Sequence, residues 1–295
     1  MDAVIEENYV DVPGGKIWSQ RHTTPEGENN TPIILLHGGP GVPHNYLLNL
    51  SLLSKQRPVI FYDQLGCGKS SLPGEHKHLW TLDRFVIELE ALTQALAIKQ
   101  FHLLGQSWGG ALAIEYALAY PEKIKSLILA SPVLSAPLWA KETKRLIQQL
   151  PQSVQDNILK HEQLGTTDSE EYQEAMKLYS KKFLCRMESK SEDLQYSLNH
   201  INSEIYFTMW GPNEFTITGN LKNFDRIQDL NKLFMPILIT CGRFDEATPE
   251  SMEIALENAQ NAKLVVFEQS AHVSHLEEPE KYIETLINFL SDIEK

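Results

Sequence analysis

The chain has 295 residues, 39 acidic against 26 basic for a net charge of −13, and 42% of it is hydrophobic. That length suits one large domain, or a core domain with an insertion, and supplies ample material for a buried core. The acidic balance disfavours nucleic acid and anionic membrane surfaces as partners. The three cysteines, Cys67, Cys185 and Cys241, are odd in number and far apart, so neither a disulfide framework nor a metal site is expected. Met1 to Glu7 is acidic without an apolar core, which argues against a signal peptide, and no apolar run could span a bilayer. The expectation is a cytoplasmic protein with reduced thiols, no metal and no cofactor; its oligomeric state is left open.

Asn8 to Val12 and Lys16 to Arg21 flank Pro13-Gly14-Gly15 and predict an antiparallel hairpin. Thr23 to Thr31 is a polar loop. Pro32 to Leu36 is a short apolar run that predicts a buried strand, ending in His37-Gly38-Gly39-Pro40-Gly41. Missing side chains there expose backbone N–H groups at the strand's end. Pro58 to Tyr62 predicts the next strand, closed by Asp63-Gln64-Leu65-Gly66-Cys67-Gly68-Lys69-Ser70. Gly68-Lys69-Ser70 is not a phosphate loop, because Asp63 stands where that motif needs glycine. Leu82 to Ile98 has helical spacing of apolar residues, Phe101 to Leu104 predicts a strand, Ala111 to Tyr120 a helix and Lys125 to Ala130 a strand. This alternation implies a mostly parallel sheet with helices on both faces, which binds ligands at the carboxyl ends of its strands. From about Leu134 to Asp225 strands become scarce. Four amphipathic helices are expected, at Leu138 to Leu150, Val154 to Leu164, Ser169 to Leu184 and Glu192 to Trp210. Strands resume at Pro236 to Cys241 and Lys263 to Phe267, with helices from Thr248-Pro249 and from Pro279 to Ile293. The expected organisation is a core over 1–133 and 226–295 with a helical cap over 134–225.

Chemistry concentrates at Gly105-Gln106-Ser107-Trp108-Gly109-Gly110. A G-x-S-x-G turn between a strand and a helix is the nucleophile elbow of the α/β-hydrolase fold. Serine needs a base, and the base an orienting acid. Asp245 and then His272 follow late strands, and Ser107, Asp245, His272 is the order this fold uses. His275 and Glu246 are the rivals. His272 is preferred because it lies nearer the strand end, His275 being placed on a charged surface beside Glu277-Glu278-Pro279. Asp245 is preferred because it is shorter and comes first after the turn. His37 is read as fixing its loop. The N–H groups of Gly39 and Trp108 are the expected oxyanion-hole donors, each contributing roughly 3 kcal/mol to transition-state stabilisation.

The segments 37–41, 63–68, 105–110 and 242–246 together resemble the proline iminopeptidases, serine aminopeptidases of the α/β-hydrolase fold that are grouped with L-amino-acid amidases and the tricorn-interacting aminopeptidase. The resemblance spans nearly the whole chain and is thinnest in the cap, where Trp210-Gly211-Pro212-Asn213-Glu214-Phe215 carries it. It implies release of an N-terminal residue, preferably proline, from a small peptide or amino-acid amide. It also implies that Glu214 and Glu246 hold the substrate's free α-amino group, a task that suits paired carboxylates. An amidase or arylamidase would use the same machinery; a carboxylesterase would need neither glutamate. A non-catalytic binding protein on the same fold is disfavoured by the complete triad. Leu65 stands where some members carry arginine. Trp108, Phe244, Tyr206, Phe207 and Trp210 are candidates to line a proline-sized pocket, and Cys67 is read as a small residue in a tight turn.

Overall fold

The computed structural model describes residues 3–70 and 77–295. An antiparallel hairpin, β1 (Val4–Val12) and β2 (Gly15–Thr23), leads into six strands that run parallel: β3 (Ile33–Leu36), β4 (Val59–Asp63), β5 (Phe101–Gln106), β6 (Ile124–Ala130), β7 (Ile237–Gly242) and β8 (Ala262–Phe267). The sheet order is β1-β2-β4-β3-β5-β6-β7-β8, with β2 antiparallel to β4. From β3 the chain first steps to one side, to β4, and later to the other, to β5 and beyond. The carboxyl ends of β3 and β5 therefore flank the crevice where this reversal opens the sheet, the ordinary ligand site of such sheets.

β3, β4, β5 and β7 are buried along their whole length, which is why they read as unbroken apolar runs rather than alternating ones. Two apolar layers cover the sheet. One packs Phe85, Leu89 and Leu92 of α1 (Leu82–Ala95) and the alanine-rich α2 (Trp108–Ala119) on Ile34, Leu103 and Leu127. The other packs a 3₁₀ segment (His44–Lys55) and the terminal helix (Pro279–Ile293) on Ile33, Phe61 and Leu104.

Residues 134–225 add no strand to the sheet. They form α3 (Ala136–Ile147), α4 (Gln152–Leu164), α5 (Glu170–Phe183), α6 (Glu192–Asn199) and α7 (Ser203–Met209). The segment leaves and rejoins the core through one neck: Ser135 bridges Asp225, Ala136 N–H donates to Phe224 C=O at 2.8 Å, and Arg226 N–H donates to Leu134 C=O at 2.9 Å. Ser135, Ser169, Ser191 and Asn202 each cap the helix that follows them, worth about 1 kcal/mol apiece. The expected single helix from Glu192 to Trp210 is in fact two. Asn202 breaks it, because its side chain accepts from Glu204 N–H and Ile205 N–H and so starts a new helix. α3 to α5 share a small core of their own, including Leu146, Ile158, Tyr179 and Phe183, whereas Ile205 and Met209 of α7 join the main core. After β7 come α8 (Pro249–Asn258), capped by Thr248, then the short α9 (Ser274–Glu277), absent from the sequence-based expectation, and α10 (Pro279–Ile293). No helix among the described residues is long and apolar enough to cross a membrane.

Candidate active site

Ser107 sits between β5 and α2 with φ 56° and ψ −120°, a conformation uncommon for a residue with a side chain. Such strain costs about 1–3 kcal/mol and persists only where the surroundings enforce it. Here they do. Ser107 N–H donates to Ala130 C=O, while its own C=O accepts from Gly110 N–H and Val133 N–H. The flanking glycines are required by space: a Cβ on Gly105 would lie 2.1 Å from Gly109 O, and one on Gly109 would lie 2.3 Å from Leu36 O. The result is a hydroxyl raised above the sheet at the N-terminus of α2. Trp108 is the first residue of that helix, so its N–H has no partner within the helix. Its indole faces away, donating to Gln64 Oε1 at 2.8 Å.

The loop after β3 is fastened from two sides. Gly38 N–H donates to the Tyr46 hydroxyl, which donates to Gln106 Oε1 at 2.6 Å. The buried His37 accepts from Gln64 N–H through Nε2 at 2.9 Å, and burial pushes its pKa down to about 4. It is a neutral brace, in line with the sequence reading. Gly39, at φ 113°, borders the same cavity as Ser107. Asp63 is likewise a brace: its carboxylate accepts from His44 N–H, His44 Nδ1 and Lys69 N–H. Cys67 is buried, and burial pushes its thiol well above its usual range, which makes it inert.

Asp245 follows β7 and His272 follows β8. His272 Nδ1 lies 2.7 Å from Asp245 Oδ1. Asp245 is fixed by Ala247 N–H on Oδ1 and Gly242 N–H on Oδ2. Burial opposes charge on His272, but the charge and hydrogen bond of Asp245 outweigh it and raise the imidazole above its ordinary value. With Nδ1 held by Asp245, Nε2 is the free edge, and His272 borders the cavity with Ser107. The rival histidine is corrected in one respect. His275 is buried rather than on a charged surface; its Nε2 meets Tyr46 C=O at 3.1 Å, and burial pushes it to about 4.

The cavity holds about 540 Å³ and is bordered by Gly39, Ser107 and His272 and by Tyr206, Glu214 and Glu246. Glu246 is 1% exposed. Its Oε2 accepts from the Tyr179 hydroxyl at 3.0 Å, while its Oε1 is buried without a donor among the described residues. Glu214 accepts from the Tyr206 hydroxyl at 2.8 Å. Burial raises both pKa values, and the facing carboxylate pushes Glu246 well above the usual range. The pair is thus an acidic patch with one unsatisfied oxygen, suited to a cation.

Several contributors to this site escaped the sequence reading. Tyr179 was read only as part of an amphipathic helix. Trp139 packs edge-on to His272, with ring centroids 5.8 Å apart, and its indole N–H donates to Glu214 C=O at 2.9 Å. Glu162 of α4 accepts from Asn213 Nδ2 at 2.6 Å and from Thr216 Oγ1 at 2.8 Å, gripping the turn that carries Glu214 on both sides. Of the aromatics expected around a proline-sized pocket, only Tyr206 borders the cavity. Trp108 packs under it against Phe85, Trp210 packs against Trp139, Phe244 carries the Arg186 guanidinium, and Phe207 is 56% exposed. Among the described residues no three of His, Cys, Asp and Glu cluster so as to hold a metal ion.

Comparison with known proteins agrees with this geometry. A family profile described as alpha/beta hydrolase fold matches residues 31–279. A proline iminopeptidase of Heyndrickxia coagulans is 48% identical over 288 residues, covering 97% of this chain and 99% of that protein. One from Saccharolobus solfataricus is 37% identical over 292 residues, covering 98% and 93%. The crystal structure of a proline iminopeptidase from Mycobacterium smegmatis superposes with a TM-score of 0.91 at 34% identity, covering 98% of each chain. An elbow serine, a carboxylate-held histidine and an acidic patch in the cavity, on a sheet of this order and with relatives this similar over their full length, make the chain a serine hydrolase of the proline iminopeptidase family.

Proposed function

We propose that this enzyme releases N-terminal proline from small peptides through an acyl-enzyme, with Ser107 as nucleophile, His272 as general base and Asp245 as its orienting acid. The free Nε2 of His272 takes the Ser107 proton as Oγ attacks the prolyl carbonyl. The N–H groups of Gly39 and Trp108 receive the developing oxyanion at the positive end of α2. The same Nε2 returns the proton to the departing amine. Water then repeats the sequence, freeing proline and restoring Ser107. Residues 134–225 act as the cap of the cavity.

One observation carries the exopeptidase reading: the buried Oε1 of Glu246, without a donor among the described residues, beside the Glu214 carboxyl and the catalytic groups. Triad and oxyanion hole alone would cleave any accessible acyl bond. A fixed pair of carboxyls selects a substrate whose ammonium belongs to the same residue as the scissile carbonyl. The three free cysteines suit the reducing cytoplasm, where we place the enzyme. A panel of prolyl, alanyl and leucyl arylamides, each free and N-acetylated, tests the assignment. Free prolyl arylamide should be the preferred substrate; equal turnover of free and acetylated forms would reject it.

A further inference from the structure

The cavity is larger than a prolyl ring needs. Its roughly 540 Å³ falls in the range of sites that enclose a whole small-molecule ligand, about 300–1,000 Å³. Ser107 and the two glutamates line its interior. Its exposed rim carries Gln173, Lys177 and Lys181 of α5, spaced four residues apart and so on one side of the helix, and just past α5 the Leu184 C=O accepts from His272 N–H at 3.1 Å, which places this rim next to the catalytic histidine. Lys190 borders the same rim from the loop that follows. In a chain of net charge −13, three lysines gathered at the rim of the catalytic cavity stand out. Lys177 is paired with Glu174 at 2.5 Å. Lys181 and Lys190 are exposed, and among the described residues neither has an ion-pair partner. Glu188 also lines that rim. Elsewhere the wall is apolar and adaptable, with Met176, Met187 and Leu194.

The cavity is therefore acidic in its buried interior, where Ser107 and Glu246 lie, and basic at its exposed rim. A short peptide has the same polarity: ammonium first, carboxylate last. Resting on the aminopeptidase reading above, we infer that Lys181 and Lys190 form a subsite for the free C-terminal carboxylate of the leaving peptide, so that the enzyme favours short peptides whose C-terminus ends inside the cavity. The methionine-rich wall tolerates varied side chains between the peptide's two charged ends.

The test compares kcat/KM for Pro-Gly-Gly and for its C-terminal amide, with prolyl arylamide as reference, in the wild type and in two double variants, Lys181→Met with Lys190→Met and Lys181→Glu with Lys190→Glu. Exposed ion pairs are individually weak and screened by salt. The wild type should therefore prefer the free acid by about fivefold at low salt, less at high salt. The methionine variant should bring the ratio of acid to amide close to one, and the glutamate variant should invert it. Equal kcat/KM for acid and amide in the wild type, or a ratio untouched by charge reversal, would overturn the subsite while cleavage of prolyl arylamide still upheld the aminopeptidase. Failure to cleave prolyl arylamide at all would overturn both.

Discussion

Replacing Glu246 by glutamine isolates the charge that the substrate amine should meet. The two side chains have the same shape, and the amide oxygen can still accept from the Tyr179 hydroxyl. What is lost is a carboxyl that gives up its proton to become the counter-anion of a bound ammonium, in a place where Glu246 is 1% exposed and one of its oxygens has no donor among the described residues. A charge-assisted hydrogen bond to a desolvated partner becomes a neutral one, and Glu214 alone must balance the ammonium. The loss should be roughly 2–4 kcal/mol in kcat/KM, or about 30- to 900-fold. Stability should move the other way. Burial and the facing Glu214 raise the Glu246 pKa, so the folded protein binds a proton that the unfolded chain releases once the pH exceeds its usual 4.5. That raised pKa makes the wild type lose stability as pH rises above the unfolded value. Glutamine does not titrate, so Glu246→Gln should melt at the wild-type temperature or above it, by a margin that grows from pH 4 upward. The assay is kcat/KM on prolyl arylamide and N-acetylprolyl arylamide, with Tm measured across the pH range. A variant that lost stability, or that lost activity equally on the poor acetylated substrate, would show that Glu246 supports the fold and does not read the amine.

Three further outcomes follow from the site. His272→Ala should cost about as much activity as removing the serine, because the two act as a unit. His275→Ala should keep activity within about tenfold but lower Tm, since it removes a buried ring bonded to Tyr46 C=O; the reverse ranking by stopped arylamide assays would reassign the base. The acid limb of the kcat/KM profile should have its midpoint above about 6.5, because the proton must leave a His272 whose pKa Asp245 has raised; a midpoint near 4 would remove His272 from that role. Glu162→Gln should raise KM for free prolyl substrates about tenfold with little change in kcat, since it loosens the turn that carries Glu214; an equal fall in kcat alone would refute the positioning role.

The core was legible wherever local chemistry forced a choice. Glycines at 105 and 109 are dictated by backbone approach around Ser107, and the buried parallel strands admit only apolar runs, so the elbow and the sheet could be read directly. Asp245 and His272 were legible through their place after β7 and β8. The cap was harder because its contacts are not local. Nothing near Tyr179 in sequence announces that it reaches Glu246, 67 positions away, nor that Trp139 packs on His272. Asn202 looks like any polar residue in a helix until its side chain is seen to cap the next one. His275 was misplaced for a related reason. Its neighbours Glu277 and Glu278 suggest a surface, yet their carboxylates serve backbone N–H groups of Ala271 and Gln269, while the imidazole just before them turns inward. Most of the aromatic candidates do not line the pocket because they have partners elsewhere: Trp108 packs on Phe85, Trp210 on Trp139 and Phe244 under the Arg186 guanidinium.

The central claim is hydrolysis of an N-terminal prolyl bond by Ser107, and the most direct measurement is kcat/KM of Ser107→Ala on a prolyl peptide against wild type, with circular dichroism to confirm the fold. A loss of about 10⁵- to 10⁶-fold in a folded variant is the expected result. A folded variant that kept a tenth of the wild-type activity would contradict it.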